Sequence, residues 1–155
     1  MLQKTACVFT GHRQLEYDFD QERLQQAIEN FIQQGVQTFY CGMALGFDLL
    51  AAEKVIALKE KYPTVKLIAC IPCADQCEKY SPLNKKRYLE ILKNCDEQVC
   101  LSDAYFKGCM HARNRYMVDR ADCMIAYLKK QAGGTAFTVE LFEKKHPFGE
   151  IVFCL

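Results

Sequence analysis

Several features that would assign a chain to a special class of protein are missing from this sequence of 155 residues. The N-terminus has no charged-then-apolar signal segment, and no apolar run approaches the roughly 20 residues that span a bilayer. The net charge of +1 gives no overall attraction to nucleic acid or to a membrane. There is also no internal repeat, low-complexity segment or linker. These absences predict one globular domain over residues 1–155, with neither a membrane nor a nucleic acid as its expected partner.

Cysteine, by contrast, is abundant, with ten residues. Because no secretory segment is found, we expect reduced thiols and a cytoplasmic location. Cys70, Cys73 and Cys77 form a C-x2-C-x3-C pattern, but no second pair of Cys or His ligands accompanies it. We therefore expect no metal and no cofactor. Six of the ten cysteines lie in apolar runs, where free cysteine behaves as a small buried hydrophobe; they are Cys7, Cys41, Cys70, Cys100, Cys123 and Cys154.

Apolar runs and amphipathic segments alternate along the whole chain. The apolar runs predict strands at 5–10, 37–41, 65–71, 98–101, 123–128 and 150–154, and the segments between them carry helical periodicity. A helix is predicted to begin at Asp18 or Asp20, another to span Phe47 to Tyr62, and a third to start at Ser81-Pro82. Two more are predicted at 110–120 and 135–145. Repeated β-α-β units place the chain in the α/β class, as a single Rossmann-like domain with a mainly parallel sheet and helices on both faces.

Ligands of open α/β sheets bind beyond the carboxyl ends of the strands, where this sequence collects its glycines and polar residues. Small residues between a strand and a helix let backbone N–H groups close on a phosphate, and an arginine fork matches phosphate oxygens. We therefore predict a phosphate-binding site for a small molecule. Its predicted ligand-binding residues are Gly11, His12, Arg13, Gly42, Gly46, Asp48, Asp75, Asn114, Gly133, Gly134 and Thr135.

Each of these residues also has a purely structural explanation. Asp48 either accepts hydrogen bonds from ribose hydroxyls or caps the helix that starts beside it. His12 and Arg13 either bind a phosphate or are exposed residues of a tight turn. Asp75 either contacts a base or sugar or stabilises its own turn. The spacing Gly-x3-Gly-x-Asp is not the dinucleotide fingerprint, so nicotinamide-dependent dehydrogenase chemistry is disfavoured.

The order of four motifs resembles one family over essentially the whole chain. Thr-Gly-His-Arg, Gly-x3-Gly-x-Asp, Asn-Arg-Tyr-Met-Val-Asp-Arg-Ala-Asp and Gly-Gly-Thr are similar to the YpsA-like branch of the SLOG superfamily. SLOG proteins have Rossmann-like folds and include the LOG phosphoribohydrolases, the DNA-processing protein DprA and sensors of nucleotide or ADP-ribose-derived signals. The resemblance implies a nucleotide-like small-molecule partner and a homo-oligomer.

The comparison with LOG adds a candidate catalytic pair. The LOG motif Met-His-Glu-Arg-Lys is similar to Met110–Asn114 and places Arg113 on the family's catalytic arginine. The motif Pro-Gly-Gly-x-Gly-Thr-x-x-Glu lies over residues 132–140 and places Glu140 on the catalytic glutamate. Three residues depart from that motif, and an alignment on its threonine puts Thr138 at the glutamate position instead.

Three functions are consistent with these residues. The first is binding of a nucleotide or ADP-ribose-derived small molecule at the carboxyl ends of the strands. The second is N-glycosidic cleavage of a nucleoside 5′-monophosphate, in which Arg113 would polarise the leaving base or sugar and Glu140 would stabilise an oxocarbenium-like transition state or activate water. The third, handling of single-stranded DNA, is disfavoured by the near-zero charge and the absence of a basic–aromatic groove. We expect the first.

Overall fold

The computed structural model describes residues 4–154 and contains the predicted alternation of strands and helices. This confirms the α/β class. The strands are β1 Ala6–Gly11, β2 Thr38–Cys41, β3 Lys66–Ile71, β4 Glu97–Cys100, β5 Cys123–Tyr127 and β6 Glu150–Phe153. The helices are α1 Gln21–Gln33, α2 Phe47–Leu58, α3 Pro82–Asn94, α4 Cys109–Arg120 and α5 Gly134–Lys145.

The strands form one six-stranded sheet in the order β4-β3-β2-β1-β5-β6, and all neighbours are parallel. From β1 the chain moves outward through β2 and β3 to the edge strand β4. It then returns to β5, on the opposite side of β1. The loops that leave β1 and β5 therefore diverge, which opens a crevice at the carboxyl ends of these two central strands.

Two apolar cores sandwich the sheet, as a Rossmann-like fold requires. Helices α1, α2 and α3 cover one face and α4 and α5 cover the other. The predicted stripe of α1 is buried against the sheet. Strand β5 is buried along its whole length because helices cover both of its faces. The buried residues of the α1 stripe are Leu24, Ala27, Ile28 and Phe31.

Local differences from the predictions have simple physical causes. Cys100 is exposed, so the prediction that it is a buried hydrophobe is wrong, because β4 is an edge strand with polar neighbours. Helix α2 ends at Leu58 and the chain continues as turns before Pro63. Asp20, rather than Asp18, caps α1 by accepting a hydrogen bond from the Arg23 N–H at 3.1 Å. The predicted Ser81 cap of α3 is confirmed.

Two aspartates tie neighbouring strands together at the amino edge of the sheet. Asp122 directly precedes β5, and its carboxylate accepts from the Thr5 N–H at 2.9 Å, the Thr5 hydroxyl at 2.8 Å and the Ala6 N–H at 3.3 Å. Asp96 precedes β4 and accepts from the Leu67 N–H at 2.8 Å. Both aspartates donate their own N–H to the strand that they contact. Charged acceptors of backbone N–H groups make strong hydrogen bonds, so this edge is built for stability.

Replacing Asp122 with alanine should therefore destabilise the fold. The Thr5 and Ala6 N–H groups lose an ionised acceptor, and we expect the free energy of unfolding in urea to fall by about 1–2 kcal/mol. Asp119→Ala is the matched control, since Asp119 is an exposed residue of α4 that pairs only with Lys145 at 3.4 Å. It should change stability by less than about 0.5 kcal/mol. Equal losses in the two variants would contradict this assignment.

Candidate functional site

A cleft of about 530 Å³ opens at the carboxyl ends of the strands, over the divergence of β1 and β5. This volume is within the usual range of small-molecule sites. The loops after β1, β2, β3 and β5 and the first turns of α4 form its walls. Most of the residues predicted to bind a ligand line it: Gly11, His12, Arg13, Asp48, Asn114, Gly133, Gly134 and Thr135, together with Arg113.

Four of the predicted residues do not line this cleft. Gly42 and Gly46 are not lining residues. Each allows a neighbouring group to pack closely, the Arg113 guanidinium at Gly42 and the Arg13 carbonyl at Gly46. Asp75 is exposed in the turns after β3, and the neighbouring Gln76 enters the cleft in its place. Glu140 is exposed on α5, because it follows Thr135 by five positions and so points away from the helix face that borders the cleft. The predicted catalytic pair is therefore not assembled in this cleft.

Three helices begin at the cleft without a side-chain cap. The N-cap residues of α2, α4 and α5 are Gly46, Gly108 and Gly133, none of which has a side chain that can accept from its own helix. By contrast, Asp20 and Ser81 cap α1 and α3. The first N–H of α2 donates to the His12 carbonyl and the first N–H of α4 to the Phe106 carbonyl, so both have partners outside their helices. The first N–H of α5 has no partner among the described residues; it lies at the positive end of the helix dipole and borders the cleft, as a donor in an anion site does.

Glycine is required at two positions where the turn after β1 meets the start of α2, because neighbouring groups approach too closely for a side chain. Gly46 has a φ of +76°, and a Cβ there would overlap the carbonyl of Arg13. A Cβ on Gly11 would overlap the ring of Phe47. The Phe47 N–H also donates to the carbonyl of His12 at 3.2 Å. The start of α2 is thus packed directly against the turn after β1.

Arg113 reaches from α4 across the carboxyl edge of the sheet. The residue is 5% exposed, and its guanidinium donates through Nη1 to the carbonyl of Gly42, just after β2, and to that of Cys70 in β3 at 3.4 Å. Through Nε it donates to Asn114 Oδ1 at 2.7 Å. A Cβ on Gly42 would lie 2.7 Å from Arg113 Cζ, so only glycine leaves room for this contact. Arg113 is therefore first an anchor between the two layers.

Part of the same guanidinium still faces the cleft. Within residues 4–154, Nη2 contacts only the sulfur of Met110, at 4.0 Å, and so retains donors for a ligand. Gln76 supports the arrangement, since it donates to the Gly42 carbonyl at 2.9 Å and accepts from the Tyr88 hydroxyl at 2.9 Å. Met43, which directly follows Gly42, has a φ of +62°, a strained value for a residue other than glycine. The loop after β2 is thus held in one conformation.

Asp48 is a buried carboxylate in the wall of the cleft. Its side chain is 5% exposed; Oδ2 accepts from the Ala44 N–H at 3.2 Å, whereas Oδ1 has no hydrogen-bond partner among the described residues. Burial raises the pKa of Asp48 to about 6, although the Arg113 charge and the Ala44 N–H favour the ionised form. Asp48 does not cap α2, since no side chain caps that helix. This oxygen is itself buried, and buried oxygens without a donor are rare in native structures.

His12 joins the loops that follow β1 and β5. Its Nε2 accepts from the backbone N–H of Lys129 at 2.7 Å and of Lys130 at 3.3 Å. Burial lowers the pKa of His12, and the Lys130 charge lowers it further. The neutral ring, with its proton on Nδ1, is the form that can accept these bonds. His12 therefore has a structural role at the rim of the cleft.

Two lining residues, Lys79 and Tyr80, were not predicted. They follow Gln76 by three and four positions. Consecutive hydrogen-bonded turns after β3 bring Gln76, Lys79 and Tyr80 to the same side, where they line the cleft. Tyr80 donates its hydroxyl to the carbonyl of Met43 at 3.1 Å. The spacing Gln-x2-Lys-Tyr was the available signal. This spacing is a weak signal, because Pro72 and the nearby cysteines suggest an irregular loop.

The cysteine pattern begins in β3 with Cys70 and continues into the turns after it. Burial raises the pKa of Cys70 and of Cys73 to about 12, so both thiols are protonated at neutral pH. Among residues 4–154 no group of three or more His, Cys, Asp or Glu residues is arranged to hold a metal ion. In the same range, no helix has the length and apolar character needed to cross a membrane.

The fold is that of a Rossmann-like α/β protein, with a cleft at the divergence of its central strands. A model of the YpsA family, described as the YspA SLOG family, matches residues 6–148. The chain therefore belongs to the YpsA family of SLOG proteins, which confirms the resemblance found in the sequence.

Relatives of known sequence carry names without a stated function. A UPF0398 protein of Halalkalibacterium halodurans is 28% identical over 138 residues, which cover 87% of this chain and 72% of that protein. The UPF0398 protein YpsA of Bacillus subtilis is 24% identical over 129 residues, covering 79% of this chain and 72% of the relative. These relatives support the family assignment, and their names state no activity.

Two solved structures of DNA processing protein A (DprA) share the fold. The protein from Helicobacter pylori, studied for its single-stranded DNA binding mode, has a TM-score of 0.63 and 23% identity. The protein from Streptococcus pneumoniae has a TM-score of 0.68 and 19% identity. Each match covers 97% of this chain, which spans only 65% and 50% of the two DprA chains. At these identities the likeness establishes the fold alone.

The anchoring role of Arg113 predicts a large loss of stability in Arg113→Ala. The carbonyls of Gly42 and Cys70 lose a buried charged donor, and we expect the free energy of unfolding in urea to fall by about 2–3 kcal/mol. Arg115→Ala is the matched control, because Arg115 is exposed on the same helix and only approaches the ring of Phe137, at 5.9 Å. If Arg113→Ala is as stable as Arg115→Ala, the anchoring role is wrong.

Proposed function

We propose that the protein binds a nucleotide or ADP-ribose-derived small molecule in this cleft. Its phosphate would lie at the first turn of α5, against Gly134 and Thr135, and a sugar hydroxyl would donate to Asp48 Oδ1. The observation that carries the proposal is the presence of uncapped helix N–H groups and a partnerless buried carboxylate oxygen in one cleft. A phosphorylated sugar supplies both the acceptor and the donor that these groups require.

The charges around the cleft support an anionic ligand. Arg13, Lys79 and Arg113 line it, and Asp48 is the acidic residue among the lining side chains. Arg13 is exposed and makes no ion pair with any other described residue, so its guanidinium is free to contact phosphate oxygens. The basic excess is local, because the whole chain has a net charge of only +1.

Catalysis by Arg113 and Glu140 is not part of this proposal. A LOG-type reaction requires the glutamate carboxylate within reach of the bound nucleotide. Glu140 is exposed and outside the lining, whereas Thr138 is fully buried and donates to the Gly134 carbonyl at 2.8 Å. Thr138 thus stands at the position that the alternative alignment gives to the glutamate, and a hydroxyl cannot replace that carboxylate.

Single-stranded DNA is a second candidate ligand. The expectation against nucleic acid rested on the near-zero net charge and on the absence of a basic–aromatic groove in the sequence, and net charge does not describe how charges are distributed in the fold. Arg13, Lys79, Lys129 and Lys130 all lie at the carboxyl edge of the sheet, in the cleft or beside it. The solved H. pylori DprA, a protein of the same fold, is described by its single-stranded DNA binding mode. A phosphodiester chain presents the same acceptors as a nucleotide phosphate, and the titrations in the next subsection separate the two.

The homo-oligomer and the cytoplasmic location stay predictions. The first rests on the family, and the second on the expectation of reduced thiols. All ten cysteines are free. Size-exclusion chromatography with light scattering would establish the oligomeric state.

The phosphate assignment predicts a selective effect of Gly134→Pro. Gly134 is the first residue of α5, and its N–H has no partner within the helix. Proline is tolerated at this position and removes that N–H, while a Cβ there meets nothing within 4 Å. We expect adenosine 5′-monophosphate to bind about tenfold more weakly by isothermal titration calorimetry, because one charge-assisted hydrogen bond is lost.

Gly134→Ala is the control for this variant. It adds the same Cβ but keeps the N–H, so its affinity should remain within about twofold of the original protein. Thermal unfolding of both variants checks that α5 is intact. The phosphate position is wrong if proline and alanine have the same affinity, and the proposed function is wrong if neither mononucleotides nor ADP-ribose bind at millimolar concentration.

The role of Asp48 predicts that affinity falls in acid. Because burial raises its pKa to about 6, the carboxylate takes up a proton as the pH falls through 6 and can no longer accept at both oxygens. Affinity for ADP-ribose should be constant above pH 7 and about tenfold lower at pH 5. This probe is chosen because its phosphates are esterified and do not titrate near pH 6.

Asp48→Asn should bind ADP-ribose more weakly and with little dependence on pH over the same range. His12 also titrates below its usual pKa, so His12→Gln with Asp48 intact measures its share of the profile. An unchanged pH profile in Asp48→Asn would exclude Asp48 as the acceptor.

A further inference from the structure

A second groove lies beside the cleft, between the loops that follow β1 and β5. Its volume is about 560 Å³, and its walls include Glu16, Tyr127, Lys129 and Lys130. It shares His12 and Arg13 with the cleft, so these two residues form a ridge with one site on each side. No residue specific to this groove was predicted from the sequence.

The groove is basic, and its cations are not needed by the fold. Arg13, Lys129 and Lys130 line it, against the single carboxylate of Glu16. Lys129 Nζ lies 3.9 Å from Glu16 Oε2, which is a long and exposed ion pair. The Arg13 and Lys130 side chains pair with no other described residue. These exposed cations can therefore turn to an anion without breaking structure.

The backbone that carries these cations is nevertheless fixed in place. His12 accepts the N–H groups of Lys129 and Lys130, and the Tyr127 hydroxyl accepts the Glu16 N–H at 3.4 Å. The Tyr127 ring is 1% exposed and packs against His12, with 5.5 Å between the ring centroids. The Lys130 N–H lies 3.3 Å from His12 Nε2, so Lys130 begins beside the ridge. The groove thus presents exposed cations from a backbone that hydrogen bonds hold in place.

We propose that this groove binds a second phosphate, so that the ligand carries two phosphates separated by a sugar. The proposal rests on the function proposed above, because the first phosphate is the one in the cleft. The ridge consists of two whole residues, His12 and Arg13, which line both sites. Adjacent phosphates of a diphosphate share an oxygen and are too close to lie on both sides of it. Arg13, which lines both sites, would contact both phosphates.

A nucleoside 3′,5′-bisphosphate and a phosphodiester strand both present such a pair of phosphates. The test therefore uses three probes in calorimetric titrations: adenosine 5′-monophosphate, adenosine 3′,5′-bisphosphate and a short 5′-phosphorylated oligothymidylate. We expect the bisphosphate or the oligonucleotide to bind at least about tenfold more tightly than the monophosphate, since the added phosphate makes charge-assisted hydrogen bonds. The tighter probe identifies the source of the second phosphate.

Lys129→Gln/Lys130→Gln is the informative variant. In this variant the two-phosphate probe should bind no more than about twofold more tightly than the monophosphate, and the affinity for the monophosphate should be unchanged. It should also make the dependence of log affinity on log salt less steep for the two-phosphate probe. Glu16→Gln should tighten binding of that probe, because it removes the one carboxylate from the groove.

Lys85→Gln/Lys86→Gln is the matched control, since it removes the same charge from the exposed face of α3, away from both sites. The inference is overturned if the monophosphate binds and neither other probe binds more tightly, or if the two lysine pairs have equal effects. In either case the proposed function stands. Absence of binding by all three probes and by ADP-ribose would overturn the proposed function itself.

Discussion

The contact of Arg113 with Gly42 is the constraint on which the cleft depends. Arg113 belongs to the helix layer on one face of the sheet, and Asp48 belongs to the layer on the other face. The guanidinium joins them by lying on Gly42 at the end of β2 and donating to the carbonyls of Gly42 and Cys70. The same positive charge favours the ionised form of Asp48. Most of the Arg113 guanidinium therefore makes structural hydrogen bonds. Only its Nη2 has no oxygen partner among the described residues.

The backbone polar groups at the amino ends of the strands and those at the carboxyl ends have different kinds of hydrogen-bond partner. At the amino edge, Asp96 and Asp122 satisfy the N–H groups of the adjacent strands, and each donates its own N–H in return. At the carboxyl edge, the N-cap residues of α2, α4 and α5 are glycines without a capping side chain, whereas Asp20 and Ser81 cap α1 and α3. The first N–H groups of α2 and α4 donate to the carbonyls of His12 and Phe106, and the first N–H of α5 has no partner among the described residues. A glycine N-cap is less stabilising than Asp or Ser by only about a few tenths of a kcal/mol, so the fold loses little by leaving that donor uncapped.

Sequence periodicity was enough to predict the fold, because buried strands and amphipathic helices have different repeats and β-α-β units allow few topologies. It also located the edge of the sheet that carries the cleft, since that edge follows from strand direction alone. The errors concern side-chain direction and edge position. Glu140 is only five residues beyond Thr135 but points outward, and Cys100 lies in an apolar run that forms an edge strand. The ridge was not predictable, because His12 accepts hydrogen bonds from residues that are 117 and 118 positions away.

A buried carboxylate inside a basic cleft restricts the ligand further than either feature alone. Asp48 repels an anion that approaches closely, so inorganic phosphate or sulfate would gain from the helix N-termini but leave Oδ1 without a donor. An unsatisfied buried acceptor costs free energy, whereas a ligand hydroxyl placed there removes that cost. Under the proposed function, the cleft would favour ligands that combine a phosphate with a hydrogen-bond donor a few ångströms away, which is the chemistry of a sugar phosphate. Discrimination against bare anions would then follow from Asp48, and the affinity for the phosphate from the uncapped first turn of α5.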